Sequence, residues 1–123
     1  MSAALTAMAA EVLLLLRLSL TDDAIGPREA AVLDRIAAKC LQLSPGEISL
    51  LLRSFEVQST DREIMQARAG LRQASYTRRI ILAETLFSLA GQDPELAPRS
   101  ERLGVRVCDV LGLGADEVAH LSG

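Results

Sequence analysis

The chain has 123 residues and a formal net charge of −3, a size that fits one domain and lets the fold bury roughly two-thirds of the unfolded surface. Hydrophobic residues make up 50% of it, yet there is no tryptophan, Tyr76 stands alone, and Phe55 and Phe87 are the only phenylalanines; a core of leucine and alanine favours helix over sheet. The acidic balance and the dispersed arginines argue against nucleic acid as a partner, and the local stripe Arg68, Arg72, Arg78 and Arg79 lacks the aromatics that stack single-stranded bases.

From Ala3 to Leu20 the sequence is rich in alanine and leucine without a breaker. Its apolar residues surround the axis, which predicts a helix buried among others. Glu11 and Arg17 lie within this stretch, so it is too charged to cross a membrane, and MSAALTAMAA has no basic region typical of an export signal. TDDAIG interrupts the helix. Pro27 then fits the first turn of a second one, where its missing N–H costs nothing, and Leu33, Ile36, Ala37 and Cys40 follow at helical spacing. Arg28, Asp34, Arg35 and Lys39 are expected on its outer face.

Ser44-Pro45-Gly46-Glu47 has the form of a capping box and predicts a third helix with the stripe Ile48, Leu51, Leu52 and Phe55. Thr60-Asp61-Arg62-Glu63 is a second capping box, for a connecting helix over 60–73 with the thin apolar face Ile64, Ala67 and Leu71. After Ser75 the order begins again. RRIILAETLFSLA resembles the first helix, GQDPELAP resembles TDDAIGP, and Leu103, Val107, Val110 and Leu111 mark the next helix. The endings CLQLSPGEISLL and VLGLGADEVAHL also agree in pattern. Setting Asp22 against Asp93 aligns Ile25 with Leu96 and Pro27 with Pro98, while keeping Leu33 opposite Leu103 requires a one-residue deletion in the second copy. The expected architecture is therefore all-α: a single domain of about seven helices, with two three-helix units over 3–56 and 75–122 joined by the connecting helix.

These motifs carry a family resemblance. Thr21-Asp22-Asp23-Ala24-Ile25-Gly26-Pro27-Arg28-Glu29 followed by Leu41-Gln42-Leu43-Ser44-Pro45-Gly46-Glu47, and Gln92-Asp93-Pro94-Glu95-Leu96-Ala97-Pro98-Arg99-Ser100-Glu101 followed by Leu111-Gly112-Leu113-Gly114-Ala115-Asp116-Glu117, resemble the repeated motifs of the TerB-like, tellurite-resistance family. The likeness covers nearly the whole chain and implies a helical accessory domain of stress or metal response, with an acidic metal site in the loops. The chain departs from the pattern where Asp23 and Pro94 replace an expected glycine and Ser100 replaces an expected glutamate, whose place Glu101 can take after a shift of one residue.

Read on their own, Asp22, Asp23 and Glu29 are near enough in sequence to converge on a hard cation such as calcium or magnesium, and Asp93, Glu95 and Glu101 form a second candidate set. An EF-hand is excluded because Leu18 and Leu20, and Leu89 and Gly91, stand where its first ligands belong. The alternative needs no metal: carboxylates at a helix N-terminus are stabilised by the exposed N–H groups and the macrodipole. His120 is the single histidine, and no nucleophile elbow, phosphate loop or zinc spacing occurs, so no enzyme is expected. Cys40 and Cys108 have no CxxC spacing and read as buried free thiols of a cytoplasmic protein. Two functions stay open: a cation-linked accessory domain, or a helical module that binds a protein partner or a second copy of itself. Its first helix and its arginine-bearing connecting helix are the candidate docking elements.

Overall fold

The computed structural model describes residues 3–21, 25–57 and 60–114, with side chains from residue 8 onward. Six helices follow in order: α1 (Ala3–Leu20), α2 (Pro27–Lys39), α3 (Pro45–Val57), α4 (Asp61–Arg72), α5 (Tyr76–Gln92) and, after a 3-10 turn at Ala97–Arg99, α6 (Ser100–Leu111). Among the described residues there is no strand, and the all-helical expectation holds. The expected seventh helix falls on 115–123, outside the described residues, as does His120.

Helix α1 is the axis of the fold and packs against all five other helices. Val12, Leu13, Leu15, Leu16 and Leu18 are all buried, and since they lie on more than one side of the helix, neighbours must cover it almost all round. Between Ala9 and Leu18 the apolar faces of α1 are used in the core, which leaves that stretch little surface for the docking the sequence suggested. The same burial takes in two polar residues. Ser19 donates from Oγ to the Leu15 carbonyl at 2.7 Å, and Arg17, 2% exposed, donates from Nη1 to the Thr21 carbonyl at 3.2 Å. Desolvation moves the Arg17 guanidinium below its ordinary pKa.

Helix starts follow the local chemistry. Thr60 and Ser75 accept from the backbone N–H groups of Glu63 and Arg78 through their hydroxyls. Ser44 and Glu47 form a reciprocal box, with Ser44 N donating to Glu47 Oε1 at 3.1 Å and Glu47 N to Ser44 Oγ at 3.2 Å. Helix α6 ends at Gly112, whose φ of 67° is the left-handed conformation glycine adopts at little cost.

The arginines of α4 and of the first turn of α5 reach across to neighbouring elements. Arg72 donates to the Val110 carbonyl at 3.1 Å and to that of Asp109, and Arg79 donates to the Leu111 carbonyl at 2.9 Å. These cations supply donors to the last carbonyls of α6, which a helix leaves unsatisfied. Arg68 pairs with Asp109 at 2.6 Å and Arg78 with Glu11 at 2.5 Å. These arginines therefore tie helices together within the molecule. Cys40 and Cys108 are free thiols, half-buried rather than buried.

Candidate functional site

The site begins at the turn between α5 and α6. Asp93 is the C-cap of α5, its backbone N–H donating to the Ala90 carbonyl. Its side chain folds back over the turn, and Oδ2 accepts from the backbone N–H groups of Glu95 and Leu96, both at 3.0 Å. Such aspartate turns replace the helical hydrogen bonds that Pro94 cannot continue. Leu96 plugs the core behind it, and Asp93 itself is 4% exposed, the one buried acid among the described residues.

A buried carboxylate needs a counter-charge. Arg35, at the middle of α2, supplies it as a fork: Nε donates to Asp93 Oδ1 at 2.6 Å and Nη2 to Oδ2 at 2.9 Å. The same Nη2 reaches Glu95 Oε2 at 3.3 Å, and Arg28, seven residues earlier on α2, donates from Nε to Glu95 Oε1 at 3.1 Å. Two carboxylates and two guanidiniums thus form one network across 58 to 67 residues of chain. The Arg35 hydrogen bond holds the Asp93 carboxyl below its ordinary pKa, with the two backbone donors adding to the effect against burial. Arg28 and then Arg35 do the same for Glu95, and Asp93 in turn raises the pKa of Arg35.

The other candidate acids are placed differently. Glu29 lies in the first turn of α2, where its Oε1 accepts from the Gly26 N–H at 3.0 Å; among the described residues no arginine or lysine pairs with it. Glu101 is exposed on the first turn of α6. Asp22 and Asp23 lie outside the described residues. Among the described residues no three His, Cys, Asp or Glu side chains are grouped so as to hold a metal ion. The structure therefore brings Asp93 and Glu95 together, joined to α2 through Arg35 and Arg28, and leaves Glu101 apart. Sequence reasoning placed Arg28 and Arg35 on a solvated face. The available signal was their spacing: residues seven apart share one side of a helix, so both can face one acidic turn.

A second feature lies on α3. Ile48 and Phe55 face the core, Leu51 and Leu52 are half-buried, and Leu50 and Val57 are 68% and 70% exposed. The exposed pair, again seven residues apart, borders a shallow recess of about 320 Å³ lined by Leu50, Arg53, Ser54 and Val57.

Over residues 5–122 the sequence matches the family described as tellurite resistance protein TerB. The chain belongs to the TerB family. Membership places it among helical domains associated with tellurite resistance, and the match spans both acidic motifs and the connecting helix. No curated protein and no solved structure matches it. Among the described residues no helix of this TerB-family chain is long and apolar enough to cross a membrane.

Proposed function

We propose that this TerB-family chain is a non-enzymatic accessory domain of stress or metal response that works by docking a protein partner on the outer face of α3. The observation that carries this reading is the excess of apolar surface on that helix. Ile48 and Phe55 already supply its core contacts, so exposing Leu50 and Val57 gains nothing for folding and leaves an apolar patch that a partner would cover. Arg53 and Ser54 give the patch a polar border, the arrangement expected of an interface centre and rim.

The test uses the whole chain. Sedimentation is expected to show self-association that Leu50→Glu/Val57→Glu abolishes, or a photo-crosslinker at position 54 is expected to capture a partner that the same group at Glu84, exposed on α5, does not. A monomer with identical capture at both positions would sink the proposal.

A competing reading places a divalent cation, calcium or magnesium, on Asp22, Asp23 and Glu29. It is favoured by one observation, that Glu29 has no basic partner among the described residues. A cation bound only by the folded state at a hundredfold excess over its dissociation constant adds about 2.7 kcal/mol, a rise of several degrees in the unfolding midpoint after chelation and re-addition. Loss of that rise in Asp22→Asn/Glu29→Gln would support the cation; an unchanged midpoint in the parent protein would remove it.

A further inference from the structure

The family resemblance implies a metal in the acidic loops, and the second loop allows a direct test of fit. A hard cation needs several oxygens with free lone pairs and an excess of negative charge. The α5–α6 turn has no excess charge, and every one of its carboxylate oxygens already has a donor. Asp93 Oδ1 is taken by Arg35 Nε, and Oδ2 accepts from Arg35 Nη2 and from two backbone N–H groups, whose positive ends face any ion placed there. Both Glu95 oxygens also have arginine donors. The two negative charges of the turn are balanced by two positive ones, and Asp93 is too buried to reorient toward an ion in solvent.

We infer that the guanidinium of Arg35 is the resident counter-ion of the second acidic loop, which locks α2 to the α5–α6 turn and takes no divalent cation. The planar fork suits the position as a metal would not, because it satisfies both carboxylate oxygens while leaving the backbone donors in place. The lock also joins segments far apart in sequence. Arg28 and Arg35 come from the helix that follows the first acidic motif, and Asp93 and Glu95 from the second motif itself. Arg106, which stands 106 − 35 = 71 residues beyond Arg35 just as Asp93 stands 93 − 22 = 71 beyond Asp22, donates to the Ser19 carbonyl at the end of α1. An arginine thus reaches from α6 to the helix that leads into the first motif, as one reaches from α2 to the second.

The test is a double-mutant cycle on the full chain, with thermal unfolding read after chelation and then with calcium, magnesium, manganese or zinc added singly. Asp93→Asn keeps an oxygen for the two backbone donors while removing the charge. Asp93→Asn and Arg35→Met are each expected to lower the midpoint by several degrees, and the double variant to fall little further than the worse single one. Arg35→Lys, which keeps the charge without the fork, should recover part of the loss; if Arg35→Met does not fold, this variant completes the comparison with Asp93→Asn. Any metal response of the parent should persist in Asp93→Asn. Additive losses, or a cation-induced rise in the parent that Asp93→Asn abolishes, would overturn the inference. A rise abolished only by Asp22→Asn/Glu29→Gln belongs to the first loop and leaves the second loop's lock standing.

Discussion

Helices α2 and α3 look alike in the sequence and serve opposite ends in the molecule. Each has 13 residues, begins with proline and carries a glutamate in its first turn. Yet α2 buries Val32, Leu33, Ile36 and Ala37 and sends Arg28 and Arg35 across to the other half of the chain, whereas α3 buries only Ile48 and Phe55 and shows Leu50 and Val57 to solvent. Caps and periodicity determine that a helix forms, but not how many of its sides find a partner. In α2 the polar side is used inside the molecule. In α3 part of the apolar side is left over, and that remainder is what a binding surface requires.

The sharpest way to break this contrast is to truncate one leucine on each helix. Leu33→Ala, at a side chain with no solvent exposure, is expected to lower stability by about 2–5 kcal/mol through lost burial and a residual cavity. Leu50→Ala should change it by no more than about 0.5 kcal/mol, and denaturant midpoints measure both. Comparable losses at the two sites would mean that α3 is as enclosed as α2.

The polar side of α2 comes next. Asp93→Asn is expected to cost about 2 kcal/mol, since it takes from a partly buried guanidinium its closer charged partner and leaves it Glu95 alone. This contribution also has a pH signature. The folded-state pKa of Asp93 lies below its ordinary value, so the stabilisation is fully present above the ordinary carboxylate range, near pH 4, and is lost as pH falls through the depressed folded value. Unfolding curves from pH 7 downward should therefore converge for the parent and Asp93→Asn at the acid end. A constant gap between them would show that the carboxylate charge is not what Arg35 senses.

Smaller effects belong to α3. Ser44→Ala removes the hydroxyl that accepts the Glu47 N–H and should cost about 1 kcal/mol by thermal unfolding. Leu50→Glu/Val57→Glu should leave stability almost unchanged while removing association, and a stability loss of several kcal/mol would reassign that face to the core.

Much of this fold was legible in the sequence because its signals are local. Pro27 and the boxes at Ser44 and Thr60 mark helix starts to the residue, since the proline needs only its own fixed φ and each box only hydrogen bonds within one turn. The acidic motifs were found for the same reason. What the sequence misjudged were the long arginines. Arg28 and Arg35 read as a solvated face and Arg68, Arg72, Arg78 and Arg79 as a local basic stripe, and the structure uses all six as ties between elements. A side chain of this length can lay its stem along the surface and place its charge on another element, so its own helix period does not reveal its partner. The repeat register shows the same limit. Keeping Leu33 opposite Leu103 required a deletion, whereas the buried positions Val32 and Leu103, and Ile36 and Val107, align at the offset of 71 with none.

By itself, the sequence determined an all-helical chain of the TerB family, the starts of most of its helices and the acids of its two motifs, because propensity, capping and apolar period act within a few residues. Only the tertiary structure decided which acid is buried, which arginine neutralises it and which apolar residues remain uncovered. Those outcomes depend on which helix lies within a side chain's reach, a distance fixed by packing around α1 and not by position along the chain.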